Sequence, residues 1–224
     1  MRFPTLSRFA GLLLLLCAPL LRAAPVYEVE LLLFTWQGGA ATSRPVAEER
    51  IGPLGGGLPG MDYELLPKSA WRLEPEDYTL GRSGGRTQPI LHLAWRQQVP
   101  PRDYPRAVHI RSSDAGAGGR PQVEGAVAVT IGRFIHLDLD LLLREQAWRN
   151  RTSGPGLAPV DAAYRLQAHR KIKPGELNYI DHDRLGVLVT INRVGGEEGA
   201  PPEAAPEEGD KRAPIDQLSR QPAR

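Results

Sequence analysis

Cysteine is nearly absent from this chain, because Cys17 is the only cysteine among its 224 residues. Cys17 lies within Met1–Ala23, which has a basic start, an apolar centre and small closing residues, as secretory signal peptides do. We predict cleavage after Ala23 rather than lipid attachment at Cys17, because Leu16 stands where lipid attachment requires a small residue. The mature chain would then have no thiolate and no disulfide. An exported chain without cysteine favours a bacterial periplasm.

A basic excess and a second long apolar run are also absent. The formal net charge is +2, and it falls to −1 when Arg2, Arg8 and Arg22 leave with the signal peptide. Nucleic-acid-binding domains normally carry a clear positive excess, so this charge argues against a nucleic-acid partner. After the signal peptide no apolar run has the length of a transmembrane helix, so we predict no transmembrane segment.

Large apolar side chains are scarce in four stretches. The last stretch, Gly195–Arg224, is acidic and rich in proline and glycine, which predicts a disordered tail. The part between the signal peptide and this tail, residues 24–194, has a length that suits one domain with a core. The other three stretches are interpreted as loops, the first with a short helix at Val46–Ile51: Gln37–Gly60, Asp114–Pro121 and Arg149–Pro159.

Alternation of apolar and polar residues dominates the segments between these loops. It is clearest over Val123–Leu143, which predicts either one long strand or two strands bent at Gly132. Trp95 lies in another such segment, and we expect it to fill the core rather than to form a platform for a sugar. The other predicted strands are Val26–Trp36, Pro89–Val99, Ala107–Ser112, Ala163–Ile172 and Leu185–Val194.

Helical patterns are scarce. The best helix candidate is Tyr63–Leu80, although Pro67 and Pro75 weaken it. Gaps of hairpin length separate most of the strands, which favours antiparallel pairing. The sequence therefore predicts an α+β fold that is mainly antiparallel β-sheet, with one or two short helices.

His136, Asp138 and Asp140 alternate along one predicted strand and therefore share a face of the sheet. This arrangement suits a metal or a polar ligand. We favour the solvated face of an amphipathic strand, because antiparallel sheets usually have one wet face. Three other histidines lie in separate predicted strands and form no motif: His92, His109 and His169.

Four segments stand out by their order and spacing. They are YEVELLLFTW directly after the signal peptide, ILHLAWRQQV, VTIGRFIHLDLDLLL, and YRLQAHRKIKPGELNYIDHDRLGVLV. Together they resemble the CsiV family, the periplasmic peptidoglycan-binding proteins of gammaproteobacteria. Two positions depart from the family pattern, since Asn178 stands in place of a histidine and Asp183 in place of a proline.

The resemblance implies a non-enzymatic periplasmic factor that binds peptidoglycan and supports its synthesis, without a cofactor. It implies as further partners a penicillin-binding protein or its outer-membrane lipoprotein activator. Two alternatives stay open. One is a protein adaptor that contacts these synthases but not the wall. The other is a metal-dependent cell-wall hydrolase that uses His136, Asp138, Asp140 and His182.

The polar segment Glu176–Asp183 is predicted to form a turn between two strong strands, where binding residues are often placed. Basic side chains pair with the carboxylates of peptidoglycan stem peptides, while aspartate and tyrosine bond to amides and hydroxyls. An alternative of equal weight is that the residues of this turn only stabilise the turn itself. The predicted ligand-binding residues are Arg96, Arg170, Lys171, Glu176, Tyr179, Asp181 and His182.

Overall fold

The computed structural model describes residues 24–37, 43–47, 51–150 and 155–195 of the chain. The predicted signal peptide and all but the first residue of the predicted tail lie outside these residues. The short helix predicted at Val46–Ile51 lies partly outside them. Val46 itself forms an isolated antiparallel β-bridge with Ala163, so the predicted helix does not begin there.

Two antiparallel sheets make up most of the described chain, which confirms the predicted fold class. The five-stranded sheet has the order β2-β3-β1-β9-β8, and the four-stranded sheet has the order β4-β5-β6-β7. The strands are β1 (Val26–Trp36), β2 (Glu64–Leu65), β3 (Thr87–Gln98), β4 (Ala107–Arg111), β5 (Val123–Ile131), β6 (Ile135–Asn150), β7 (Leu157–Ile172), β8 (Asn178–Ile180) and β9 (Leu185–Arg193).

One apolar core lies between the two sheets. In this core, alternate side chains of β1 pack with those of β6. They include Val29 and Leu31 of β1 and Leu137 and Leu141 of β6. Burying each such aliphatic side chain contributes about 1.5–3 kcal/mol to stability. Trp95 is fully buried in this core, as predicted, and its indole N–H donates a 2.6 Å hydrogen bond to a side-chain oxygen on the same strand.

The long alternating segment Val123–Leu143 contains two strands rather than one. β5 and β6 form a hairpin whose closing pair is Ile131 and Ile135, and the chain turns through residues 132–134. Of the two predicted alternatives, two strands bent at Gly132 is therefore the correct one. The predicted loop Arg149–Pro159 is wrong at both ends, because β6 and β7 remain paired out to Asn150 and Leu157. Backbone hydrogen bonds hold this extension, and they do not depend on apolar side chains.

The predicted helix Tyr63–Leu80 is much shorter in the structure. Its first half contains β2 and a 3₁₀ turn, Lys68–Ala70, which Pro67 precedes. Only α1 (Glu74–Gly81) is an α-helix, and Pro75 lies in its first turn, where its missing N–H costs nothing. No helix in the described part of the chain is long and apolar enough to cross a membrane.

A candidate ligand groove on the four-stranded sheet

The outer face of the four-stranded sheet carries a groove of about 600 Å³. It crosses all four strands, a width of about 14 Å at the usual strand spacing. The loop at Gly55–Leu58 lines one side and Gln167 and His169 of β7 line the other, with Ala126 and Ala128 beneath them. We call this feature the outer groove, and its volume is in the range of ordinary ligand pockets.

The buried carboxylate of Asp140 fixes the loop to the sheet. It accepts two hydrogen bonds of 2.7 Å from the guanidinium of Arg165 and one of 2.7 Å from the backbone N–H of Gly55. Burial opposes ionisation of Asp140, but these hydrogen bonds outweigh it and lower the pKa of its carboxyl group. Gly55 has φ +72°, and a Cβ there would lie 2.6 Å from that of Ala126. The loop therefore needs glycine at this position.

Two cations lie over an exposed aromatic ring next to the outer groove, and a third lies near the adjacent His136. Phe134 is 43 % exposed, and its ring centroid lies 5.6 Å from the guanidinium carbon of Arg133 and 5.3 Å from Lys171 Nζ. Arg102 is close enough to lower the pKa of the neighbouring His136. Among the described residues, no carboxylate pairs with any of these three cations. We call Arg102, Arg133, Phe134 and Lys171 the basic end of the groove.

A chain of polar side chains connects the outer groove to its basic end. His169 Nδ1 lies 2.6 Å from Asp138 Oδ1, and its other ring nitrogen lies 3.3 Å from His136 Nδ1. Burial and then the charges of the surrounding cations lower the pKa of His136, which favours its neutral form. Asp138 and His169 are about half exposed, so both are accessible to a ligand.

His136, Asp138 and Asp140 share one face of β6, as predicted, but the preferred interpretation of that face is wrong for two of them. His136 and Asp140 are buried rather than solvated, because β7 side chains and the loop at Gly55 cover them. Among the described residues, no group of three histidine, cysteine or carboxylate side chains has a geometry that holds a metal. His182 lies at the far edge of the other sheet, so the four residues of the hydrolase alternative do not come together.

A family model described as the peptidoglycan-binding protein CsiV matches residues 58–194. The chain belongs to the CsiV family. No curated protein and no solved structure matches it. The matched range includes β2 to β9 and the whole basic end, but it begins after β1, the first segment of the resemblance seen in the sequence. The resemblance itself is confirmed.

In this CsiV-family chain, the predicted turn Glu176–Asp183 contains a short edge strand, β8, rather than a turn alone. Tyr179 is 47 % exposed and its hydroxyl donates a 2.6 Å hydrogen bond to Asp181. Its ring stacks on that of Phe34 at 6.3 Å. Burial, and then the bond to Asp181, raise the pKa of Tyr179. These contacts are the ones expected if the segment stabilises itself.

The neighbouring side chains also have partners within the protein. His182 Nδ1 accepts a 3.2 Å hydrogen bond from the backbone N–H of Arg184, and its Nε2 lies 3.3 Å from the hydroxyl of Ser43. Glu176 pairs with Lys173 at 3.2 Å on the surface. The β8 segment therefore presents few polar groups that are free for a ligand.

The predicted basic residues lie on three different surfaces. Arg96 is on the outer face of the five-stranded sheet, 2.7 Å from Glu28. Arg170 and Lys171 are adjacent on β7, so their side chains point to opposite faces of that strand. Of the predicted ligand-binding residues, only Lys171 belongs to the groove and its basic end.

The outer face of the five-stranded sheet holds an acid–base network that the sequence did not reveal. The ring nitrogens of His92 lie 2.8 Å from Glu30 and 2.9 Å from Asp77, which is on α1. Trp71 covers the imidazole, with ring centroids 4.1 Å apart. His92 and His169 lie in separate strands, as predicted, but each contacts acidic side chains that no sequence motif indicated. His92 meets its partners only when β1, β3 and α1 come together, whereas His169 meets Asp138 across the paired strands β6 and β7.

Opposing effects set the pKa values in this network. Burial disfavours the charged form of Glu30, but hydrogen bonds from His92 and from the backbone N–H groups of Leu73 and Arg72 outweigh it and lower its pKa. Burial likewise disfavours charged His92, but hydrogen bonds to Glu30 and Asp77 outweigh it and raise its pKa. Both shifts widen the pH range in which Glu30 and His92 carry opposite charges beneath α1, and the atoms that carry these charges have hydrogen-bond partners within the protein. It is a structural feature rather than a ligand site.

Proposed function

We propose that this chain is a periplasmic, non-enzymatic factor that binds peptidoglycan and supports its synthesis. The observation that carries the proposal is the match of residues 58–194 to a peptidoglycan-binding family. The basic, apolar and small-residue pattern of Met1–Ala23 supports export. The outer groove, with its basic end, is a surface whose chemistry suits this ligand.

The groove offers a partner for each charged group of a stem peptide. Stem peptides carry free carboxylates, which Arg102, Arg133 and Lys171 can bind through charge-assisted hydrogen bonds, since no described carboxylate pairs with them. The ammonium group of a diamino acid would lie against Asp138. A five-residue stem extends to about 17 Å at most, which is close to the span of the groove. Phe134 offers an apolar ring face beside the cations, where a sugar can stack.

The experiment that tests this function is sedimentation of the purified mature protein with isolated sacculi at physiological salt. We expect the protein in the pellet, and we expect soluble muropeptides to compete it into the supernatant. A protein that stays in the supernatant would contradict direct wall binding and would favour the adaptor alternative. Release of soluble muropeptides from the sacculi by the protein would contradict the non-enzymatic role.

Support of synthesis is a separate step and needs its own measurement. We propose that the protein raises the activity of a penicillin-binding protein, either directly or through the lipoprotein that activates that synthase. Incorporation of labelled lipid II into glycan by the purified synthase should increase when the protein is added. If the incorporation rate is unchanged both with and without the lipoprotein, the protein does not activate synthesis, and only the wall-binding part of the proposal stands.

A further inference from the structure

A second concave surface lies where the edges of the two sheets approach each other, beside β2 and β4. This cleft has a volume of about 490 Å³. Tyr63 and Leu65 line it from the side of the five-stranded sheet, and His109 and Arg111 line it from β4. We call it the edge cleft. It shares no lining residue with the outer groove.

β4 presents an open hydrogen-bonding edge to this cleft. At the first residue of the strand the edge is occupied, since the Ala107 N–H donates to the carbonyl of Pro59 and its carbonyl accepts from Met61. In an antiparallel ladder alternate residues point the same way, so the backbone groups of His109 and Arg111 point outward as those of Ala107 do. Within the described residues no backbone group bonds to them.

Exposed apolar side chains lie next to this open edge. Leu65 is 60 % exposed and Tyr63 is 42 % exposed, with the Tyr63 ring in edge contact with the buried ring of Trp95. Proteins usually protect an open edge with charged side chains or a covering segment, because an exposed edge pairs with other chains. Among the described residues only those next to the start of β4 cover it, and the rest of the edge faces an apolar wall.

The cleft lining contains one cation, Arg111, and one carboxylate, Glu124. Glu124 lies in the cleft, but its carboxylate is held by the guanidinium of Arg144. No described carboxylate pairs with Arg111, which lies at the end of the open edge. An acidic side chain on an incoming segment would therefore find a cation that has no competing partner.

We propose that the edge cleft binds an extended segment of a partner protein, which adds as a strand to β4. The segment pairs its backbone with His109 and Arg111, places an apolar side chain against Tyr63 and Leu65, and places a carboxylate on Arg111. Strand addition of this kind takes its affinity from backbone hydrogen bonds and its specificity from alternate side chains. The chain thereby has a protein-docking surface separate from the groove proposed for peptidoglycan.

The test uses the mature protein and a capped hexapeptide of alternating valine and glutamate as the probe. Amide hydrogen exchange, followed by NMR, should be fast at His109 and Arg111 in the free protein and slow at Val108 and Ile110, which pair with β5. Saturating peptide should slow exchange at the first two amides about ten-fold or more. Unchanged exchange at both amides, or no binding at all, would overturn the proposal.

Matched controls separate strand addition from general attraction. Arg111→Glu should weaken peptide binding about ten-fold, the effect of losing one charge-assisted hydrogen bond, while Arg106→Glu on the neighbouring exposed arginine should leave it unchanged. A peptide with an N-methyl group on every residue should not bind, because neither of its edges can pair with β4. Equal binding of that peptide would overturn strand addition. Protection that depends on protein concentration without peptide would also overturn it, because a second copy would then occupy the edge.

Discussion

Replacing Glu30 by glutamine should destabilise the protein strongly, although the two side chains have nearly the same shape. Glu30 is 4 % exposed and accepts hydrogen bonds from the backbone N–H groups of Arg72 and Leu73, in addition to its contact with His92. Breaking a buried charge pair costs about 3–5 kcal/mol. Glutamine keeps one acceptor oxygen, so we expect the free energy of unfolding to fall by about 3 kcal/mol, at the lower end of this range. For a domain of this size that loss lowers the Tm by about 6–12 °C.

The same variant should also change how stability depends on pH. The pKa of Glu30 is lowered from its ordinary value of 4.5, so its contribution is present above pH 4.5 and is lost as the pH falls through the folded-state pKa. The pKa of His92 is raised from 6.5, so its contribution is complete below pH 6.5 and is lost as the pH rises through the folded-state pKa. The stability difference between wild type and Glu30→Gln should therefore be largest between pH 4.5 and 6.5.

The assay is urea unfolding of both proteins at pH values below 4.5, between 4.5 and 6.5, and above 6.5, with Glu28→Gln as the matched control. Glu28 lies two residues earlier on the same face of β1 and pairs with Arg96, but its side chain is partly exposed. The Glu28→Gln substitution should lower the free energy of unfolding by less than about 1 kcal/mol. If the two variants lose the same stability, or if the difference for Glu30→Gln does not change with pH, the reasoning about the network is wrong.

Three further outcomes follow from the structure and the sequence. Gly186→Ala should cost about 1–3 kcal/mol in urea unfolding, because its Cβ would lie 2.2 Å from the buried ring of Phe34; an unchanged midpoint would contradict that packing. Tyr179→Phe should lower the free energy of unfolding by less than about 1 kcal/mol and should keep sacculus binding, because it removes only an exposed hydrogen bond to Asp181. Loss of sacculus binding in this variant would indicate that the β8 segment binds the wall. Mass spectrometry of the exported protein should find Ala24 as its first residue, and a lipid-modified cysteine there would refute the predicted processing.

Much of the fold could be predicted because alternation reports directly on which side chains share a face. The inward side of β1 follows from period two in the sequence, and the hairpin at Gly132 is one of the two alternatives that period two left open. The extent of α1 did not follow, because Pro67 and Pro75 interrupt the pattern without showing on which side of them a helix forms. The ends of β6 and β7 were missed because they are held by backbone pairing, which leaves no apolar signature.

The site was harder to predict because its residues come together only through tertiary structure. Lys171 was identified, but Arg133 and Phe134 lie in a hairpin turn and Arg102 lies in the connection between β3 and β4. Period two placed Asp140 on a face of β6 but gave no sign that a loop 85 residues earlier donates a backbone N–H to it. Alternation identifies the face of a strand, whereas strand order and covering loops decide which faces are accessible.

The central claim is that the basic end of the outer groove binds peptidoglycan. The most direct measurement compares sacculus sedimentation of Arg133→Glu/Lys171→Glu with that of Arg170→Glu, after thermal unfolding has shown that both variants fold. Arg170 is adjacent to Lys171 and exposed, but it points to the opposite face of β7. We predict that the double variant loses binding about ten-fold or more, while Arg170→Glu binds like the wild type. Equal binding by all three proteins, or an equal loss in both variants, would contradict the account.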